Sequence, residues 1–141
     1  MRSKNILIGL GLALALGSGV ACGGSSEFVV RGENEAGGAD GQVTIDRQGS
    51  GSFLVKITVT DLLPPARIKA GLTTYVIWFQ PGYGTPQRIG VLEYDADSRT
   101  GRLEATTAHT SFKVIISGEA TAQAAQPGKD VVFSSSVQAP Q

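Results

Sequence analysis

Apolar and polar residues alternate most regularly along residues 52–60, where Phe53, Val55, Ile57 and Val59 share one face and Lys56, Thr58 and Thr60 the other. A period of two with β-branched enrichment predicts a half-buried antiparallel strand. Similar runs at residues 27–32, 42–47, 101–106, 111–117 and 131–135 read as further strands, with Phe112, Val114 and Ile116 inward. Residues 73–79, Thr-Thr-Tyr-Val-Ile-Trp-Phe, are apolar on both faces and predict a central strand covered on each side. Residues 88–94 and 101–106, joined by Asp95-Ala96-Asp97-Ser98-Arg99-Thr100, read as a hairpin. Gly-rich breaks and Leu62-Leu63-Pro64-Pro65 separate the runs, and no convincing amphipathic helix intervenes. Seven or eight short strands at near-regular spacing predict an all-β, antiparallel immunoglobulin-like β-sandwich.

The first 26 residues have a different pattern. Met1-Arg2-Ser3-Lys4-Asn5 is short and basic, an uncharged apolar run fills residues 6–16, and small residues lead to Cys22, the one cysteine. A basic start, an apolar centre and a small-residue cleavage site describe an export signal. A retained span needs about 20 apolar residues, and Gly17-Ser18-Gly19 interrupts this one. The expected division is a signal peptide at 1–21, Cys22 with a flexible tether at 22–26, one sandwich domain at 27–137 and a loose tail at 138–141. Removing the signal takes away Arg2 and Lys4, leaving ten basic against twelve acidic side chains. That balance lacks the basic field of a nucleic-acid binder. One histidine, no methionine beyond the initiator and a single cysteine cannot assemble a soft-metal site.

Two resemblances follow from particular residues. Val20-Ala21-Cys22 resembles the end of a bacterial lipobox, with Gly19 where that family usually has leucine. The likeness implies a diacylglyceryl group plus an N-acyl chain on Cys22, and anchoring in a bacterial cell envelope. Because Gly23 rather than an aspartate follows, it also implies the outer membrane if the host is Gram-negative. Separately, "ITVTDLLPPARIKAGLTTYVIWF" (residues 57–79), then Pro86-Gln87-Arg88-Ile89-Gly90-Val91-Leu92, Phe112-Lys113-Val114-Ile115-Ile116-Ser117-Gly118-Glu119 and Pro127-Gly128-Lys129-Asp130-Val131-Val132, resemble the extracytoplasmic domain of anti-sigma-K factors. In those factors a sigma-binding segment and a transmembrane helix precede the domain; here a signal and lipid anchor are expected in their place. The resemblance implies an exported sandwich module and no particular chemistry.

Among candidate sites, Tyr83 between Gly82 and Gly84 is the best placed for ligand or partner contact, an aromatic on a Gly-rich loop. Trp78 and Tyr75 read as core aromatics rather than a ligand platform. Residues 95–101 read as a polar turn rather than a calcium loop, because Arg99 occupies the fifth position, where an oxygen ligand should stand. Glu33, Asn34, Glu35 and Asp40 read as solvated turn residues. His109 with Ser111, and Glu93 facing Glu104 across the hairpin, are the constellations a hydrolase would need, without a nucleophile elbow to support the first. Nearby Arg88, Arg99 and Arg102 offer the carboxylates ion pairs instead. The expectation is a non-catalytic binding or interaction module, with no metal and no cofactor beyond the covalent lipid at Cys22. Its partners would be the membrane, through the anchor, and an envelope protein or small ligand, not nucleic acid. The alternative is a structural or sensory accessory subunit of an envelope complex; a hydrolase ranks below both.

Overall fold

The computed structural model describes residues 24–141; the expected signal peptide and Cys22 lie outside the described residues. Nine strands form: β1 (Ser25–Arg31), β2 (Asp40–Arg47), β3 (Phe53–Thr60), β4 (Thr74–Gln80), β5 (Gln87–Val91), β6 (Glu93–Asp95), β7 (Thr100–Thr107), β8 (Ser111–Glu119) and β9 (Val131–Gln138). They make two antiparallel sheets, ordered β1-β2-β3-β7-β6 and β5-β4-β8-β9. Taking β2 as the first strand, these are the A-B-E-D and C′-C-F-G sheets of an immunoglobulin-type sandwich, with β1 added at one edge.

The alternating runs face inward as their pattern requires. Phe53, Val55, Ile57 and Val59 of β3 meet Tyr75, Ile77 and Phe79 of β4 and Phe112, Val114 and Ile116 of β8 in one buried core. The hairpin expected over residues 88–106 is the main departure. Its first run splits at Leu92: β5 stays beside β4 and β6 crosses to pair with β7. Hence the count is nine rather than seven or eight. The buried Leu92 side chain is the pivot, and its amide donates to the Tyr75 carbonyl at 2.9 Å. Gly101 makes room for it, since a Cβ there would stand 2.4 Å from Leu92 Cδ2.

Both ends of the described stretch join the sandwich more closely than expected. Ser25 and Ser26, expected in the tether, open β1, and the Gly24 carbonyl accepts from Arg47 N–H at 2.9 Å. In the tail, Ala139 is buried and its amide donates to Thr110 O at 2.7 Å, while the Arg47 guanidinium donates to Pro140 O at 2.7 Å.

At the opposite end, β3 leads through Leu62-Leu63-Pro64 into a single helical turn, α1 (Pro65–Ile68). The Pro64 and Pro65 nitrogens carry no hydrogen for a ladder. Two phenols hold the linker instead: Tyr94 donates to the Leu62 carbonyl and Tyr75 to the Leu63 carbonyl. Their rings meet edge-on at 5.6 Å. Burial, with Tyr94 as a second cause, pushes the Tyr75 phenol well above its ordinary 10.0. Burial also raises Tyr94, opposed by Arg99 and reinforced by Asp95. With folded pKa values above the unfolded ones, the unfolded chain releases these protons first. Their contribution is therefore intact below about pH 10 and lost as pH climbs beyond it. Denaturant titrations across that range should show the midpoint falling on the alkaline side. The fall should be shallower in Tyr75→Phe, which starts from a lower midpoint at neutral pH.

Candidate functional site

The β4–β5 connection, residues 81–86, carries the aromatic picked out in the sequence. Gly84 N–H donates to Pro81 O at 2.9 Å and the Gln80 side-chain amide to Gly84 O at 2.8 Å, closing a tight turn. Gly82 takes φ +53° there, a left-handed backbone that glycine adopts without steric cost. The turn projects Tyr83 entirely into solvent, at 108% relative exposure. Gly82 and Gly84 thus shape the turn, and Tyr83 caps a protruding tip rather than lining a cleft.

The other candidate residues occupy different turns and strands. His109 and Ser111 are both exposed; His109 lies in the turn before β8, with its backbone N–H donating to Thr107 Oγ1 at 3.1 Å. Glu93 does not face Glu104: the register sets Glu93 opposite Arg102 and Glu104 opposite Lys56. The Lys56 ammonium reaches Asp46 instead, at 3.6 Å. In the β6–β7 turn, Asp95 Oδ1 accepts from Asp97 N–H at 2.9 Å, Ser98 and Thr100 hydroxyls bond at 2.7 Å, and Arg99 takes φ +54°. That carboxylate is engaged by its own turn, the ordinary behaviour of Asp there. Asn34 reaches across to β9, its side-chain amide donating to Val131 O at 3.1 Å.

Trp78 is buried at 0% exposure, but not between the sheets. With Val76 and Ile115 it forms a second apolar cluster on the outer face of the four-stranded sheet, covered by Ala124 and Val131. A polar chain runs beneath this cover. Trp78 Nε1–H donates to Ser117 Oγ at 2.8 Å, Ser117 Oγ–H donates to Glu119 Oε1 at 2.7 Å, and Gly128 N–H donates to the same carboxylate oxygen at 2.7 Å. Arg88 pins the cover from β5 by donating to Ala122 O at 2.9 Å. The signal legible in the sequence was the two-sided apolarity of β4; the Ser117–Glu119 partnership had none, because those residues alternate with the core positions of β8.

Among the described residues, nothing covers the outer face of the five-stranded sheet in this way. Across it, Val29, Gln42, Thr58, Arg102 and Glu93 stand in one cross-strand row. Two shallow open grooves meet at Thr58 on this face, of about 510 Å³ towards β6 and about 370 Å³ towards β1. Val29, 74% exposed, and the half-buried Leu54 are its large apolar side chains. The polar positions of β2, β3 and β7 were visible in the sequence as alternation, but which sheet would be left bare was not. Between the sheets, the apolar space lined by Val43, Ile57, Val114 and Phe133 amounts to about 10 Å³, at most one water. Among the described residues, no group of three or more His, Cys, Asp or Glu is placed to hold a metal ion. No protein-family model, curated protein or solved structure matches this chain.

The polar chain at Trp78 yields a direct test. Ser117→Ala strands a buried indole N–H and takes one donor from Glu119, at a cost of about 1–3 kcal/mol. Chemical denaturation should show that loss, with a shift in the emission of Trp78. Ser111→Ala, at an exposed position, should stay within about 0.5 kcal/mol of wild type.

Proposed function

We propose that this chain is a lipid-anchored β-sandwich of a bacterial cell envelope, acting as a non-catalytic interaction module. One observation carries the reading: a basic start, an apolar run and a small-residue junction at Cys22 stand three residues ahead of a sandwich that opens at Ser25. Three acyl chains suit such a role, since burial is worth about 0.8 kcal/mol per CH₂ and a single chain holds only marginally. The order of motifs resembling the extracytoplasmic domain of anti-sigma-K factors supports an exported module. The candidate recognition surface is the bare outer face of the five-stranded sheet around Thr58, with Lys56, Arg102 and Glu93 offering charges of both signs. Such a face suits a protein partner, so the same surface would serve a structural or sensory accessory subunit of an envelope complex. Its shallow, open grooves suit an enclosed small ligand less well.

Two experiments examine the parts separately. Cys22→Ser should convert the protein from membrane-bound and detergent-partitioning to unprocessed or soluble; unchanged partitioning would refute the anchor. A photo-crosslinking residue in place of Thr58, used in the native envelope, should capture a reproducible partner, and Lys56→Glu with Arg102→Glu should abolish the capture. Failure to capture any reproducible partner would refute the interaction role.

A further inference from the structure

The strand order fixes which end of the sandwich an anchor at Cys22 would hold against the bilayer. β1 starts at Ser25, and its first residue pairs with Asp46 near the close of β2. At this same end lie the β2–β3 turn (48–52), the β4–β5 turn (81–86), the β7–β8 turn (108–110) and the chain after β9 (139–141). Three residues from Cys22 to Ser25 reach at most about 10 Å, and the Gly24 carbonyl is already tied to Arg47. The tether is therefore short, and this end cannot stand far from the headgroups.

The composition of the two ends differs in the way that placement demands. The four segments at the anchor end contain no Asp, Glu, Lys or Arg. The connections at the far end (32–39, 61–73, 96–99 and 120–130) contain nine, among them Glu33, Lys69, Arg99 and Lys129. Charged loops resist the loss of water at an interface, whereas Gly, Ser, Thr and Pro resist it less. The anchor end also carries Tyr83, and tyrosine, an apolar ring with a polar tip, is a favoured side chain at headgroup depth. Neighbouring strands are about 4.8 Å apart, so the turn between β4 and β5 stands roughly 10–15 Å across the sheet from β9 and the N-terminal edge.

We infer that Tyr83 and its turn are a second membrane contact: the end of the sandwich formed by the uncharged turns lies on the lipid surface, and Tyr83 enters the headgroup layer. This rests on the lipid anchor proposed above. Two points of attachment on opposite edges of one end hold the strands steeply to the bilayer and turn the bare five-stranded face sideways, towards neighbouring envelope proteins.

The test uses the full lipid-modified chain in vesicles of phosphatidylethanolamine and phosphatidylglycerol that contain a headgroup-depth quencher. A fluorophore is placed on Thr85→Cys, in the Tyr83 turn, or on Ala96→Cys, at the far end. Quenching should be several-fold stronger at position 85 than at 96. Adding Tyr83→Ser should lower it several-fold at 85 while the protein still floats with the vesicles. Equal quenching at the two positions in floating protein overturns the membrane contact and leaves the anchor standing. Quenching indifferent to Tyr83→Ser overturns the role of that side chain. Protein that does not float refutes the anchor, and this inference with it.

Discussion

A strand that is apolar on both faces must be covered twice, and in this sandwich β4 imposes that requirement. Tyr75, Ile77 and Phe79 are satisfied by the facing sheet, but Val76 and Trp78 point the other way. The β8–β9 connection supplies the second cover, and the indole N–H decides how it is built. Buried from water, that donor needs an acceptor. Ser117 provides it and passes the polarity on to Glu119, which in turn receives the amide of Gly128 from the covering segment. One aromatic thus joins three elements: the strand that carries it, its neighbour β8, and the loop above. Lys69 and Asp130, 3.5 Å apart, tie the same loop to the end of the β3–β4 connection.

Covering one sheet leaves the other to water. Apart from the half-buried Leu54, the outer positions of β2, β3 and β7 are polar and need no cover. Among the described residues, therefore, one outer sheet face is closed and the other is open. The sheet switch at Leu92 extends that open face by adding β6 at its edge, and the two phenols over Leu62 and Leu63 close the core above it. The proline pair that ends β3 is stable in this setting because its flanking carbonyls receive side-chain donors where no ladder can form.

Much of this architecture was legible residue by residue. The period-two runs of β3 and β8 gave the correct inward faces, and the two-sided run of β4 marked a strand covered twice. Gly82 and Gly84 marked a turn with an exposed aromatic. What misled was continuity: residues 88–94 look like one strand, since nothing local distinguishes Leu92, a buried pivot, from its apolar neighbours. The partners of the carboxylates stayed open for a related reason. Glu93 and Glu104 lie on one hairpin, but whether they meet depends on register, and a shift of two residues puts Arg102 opposite Glu93 instead.

The sequence by itself determined the class of fold, the faces of its principal strands, the turn at Tyr83 and the expectation of a lipid anchor. Each of these depends on local chemistry: periodicity, backbone freedom at glycine, and the order of charged, apolar and small residues. Only the tertiary structure decided that Trp78 lies outside the main core, that Glu93 stands opposite Arg102 rather than Glu104, and that the uncharged turns gather at one end with the start of β1. Those outcomes rest on strand order and register, in which residues tens of positions apart become neighbours, and no short stretch of sequence carries that information.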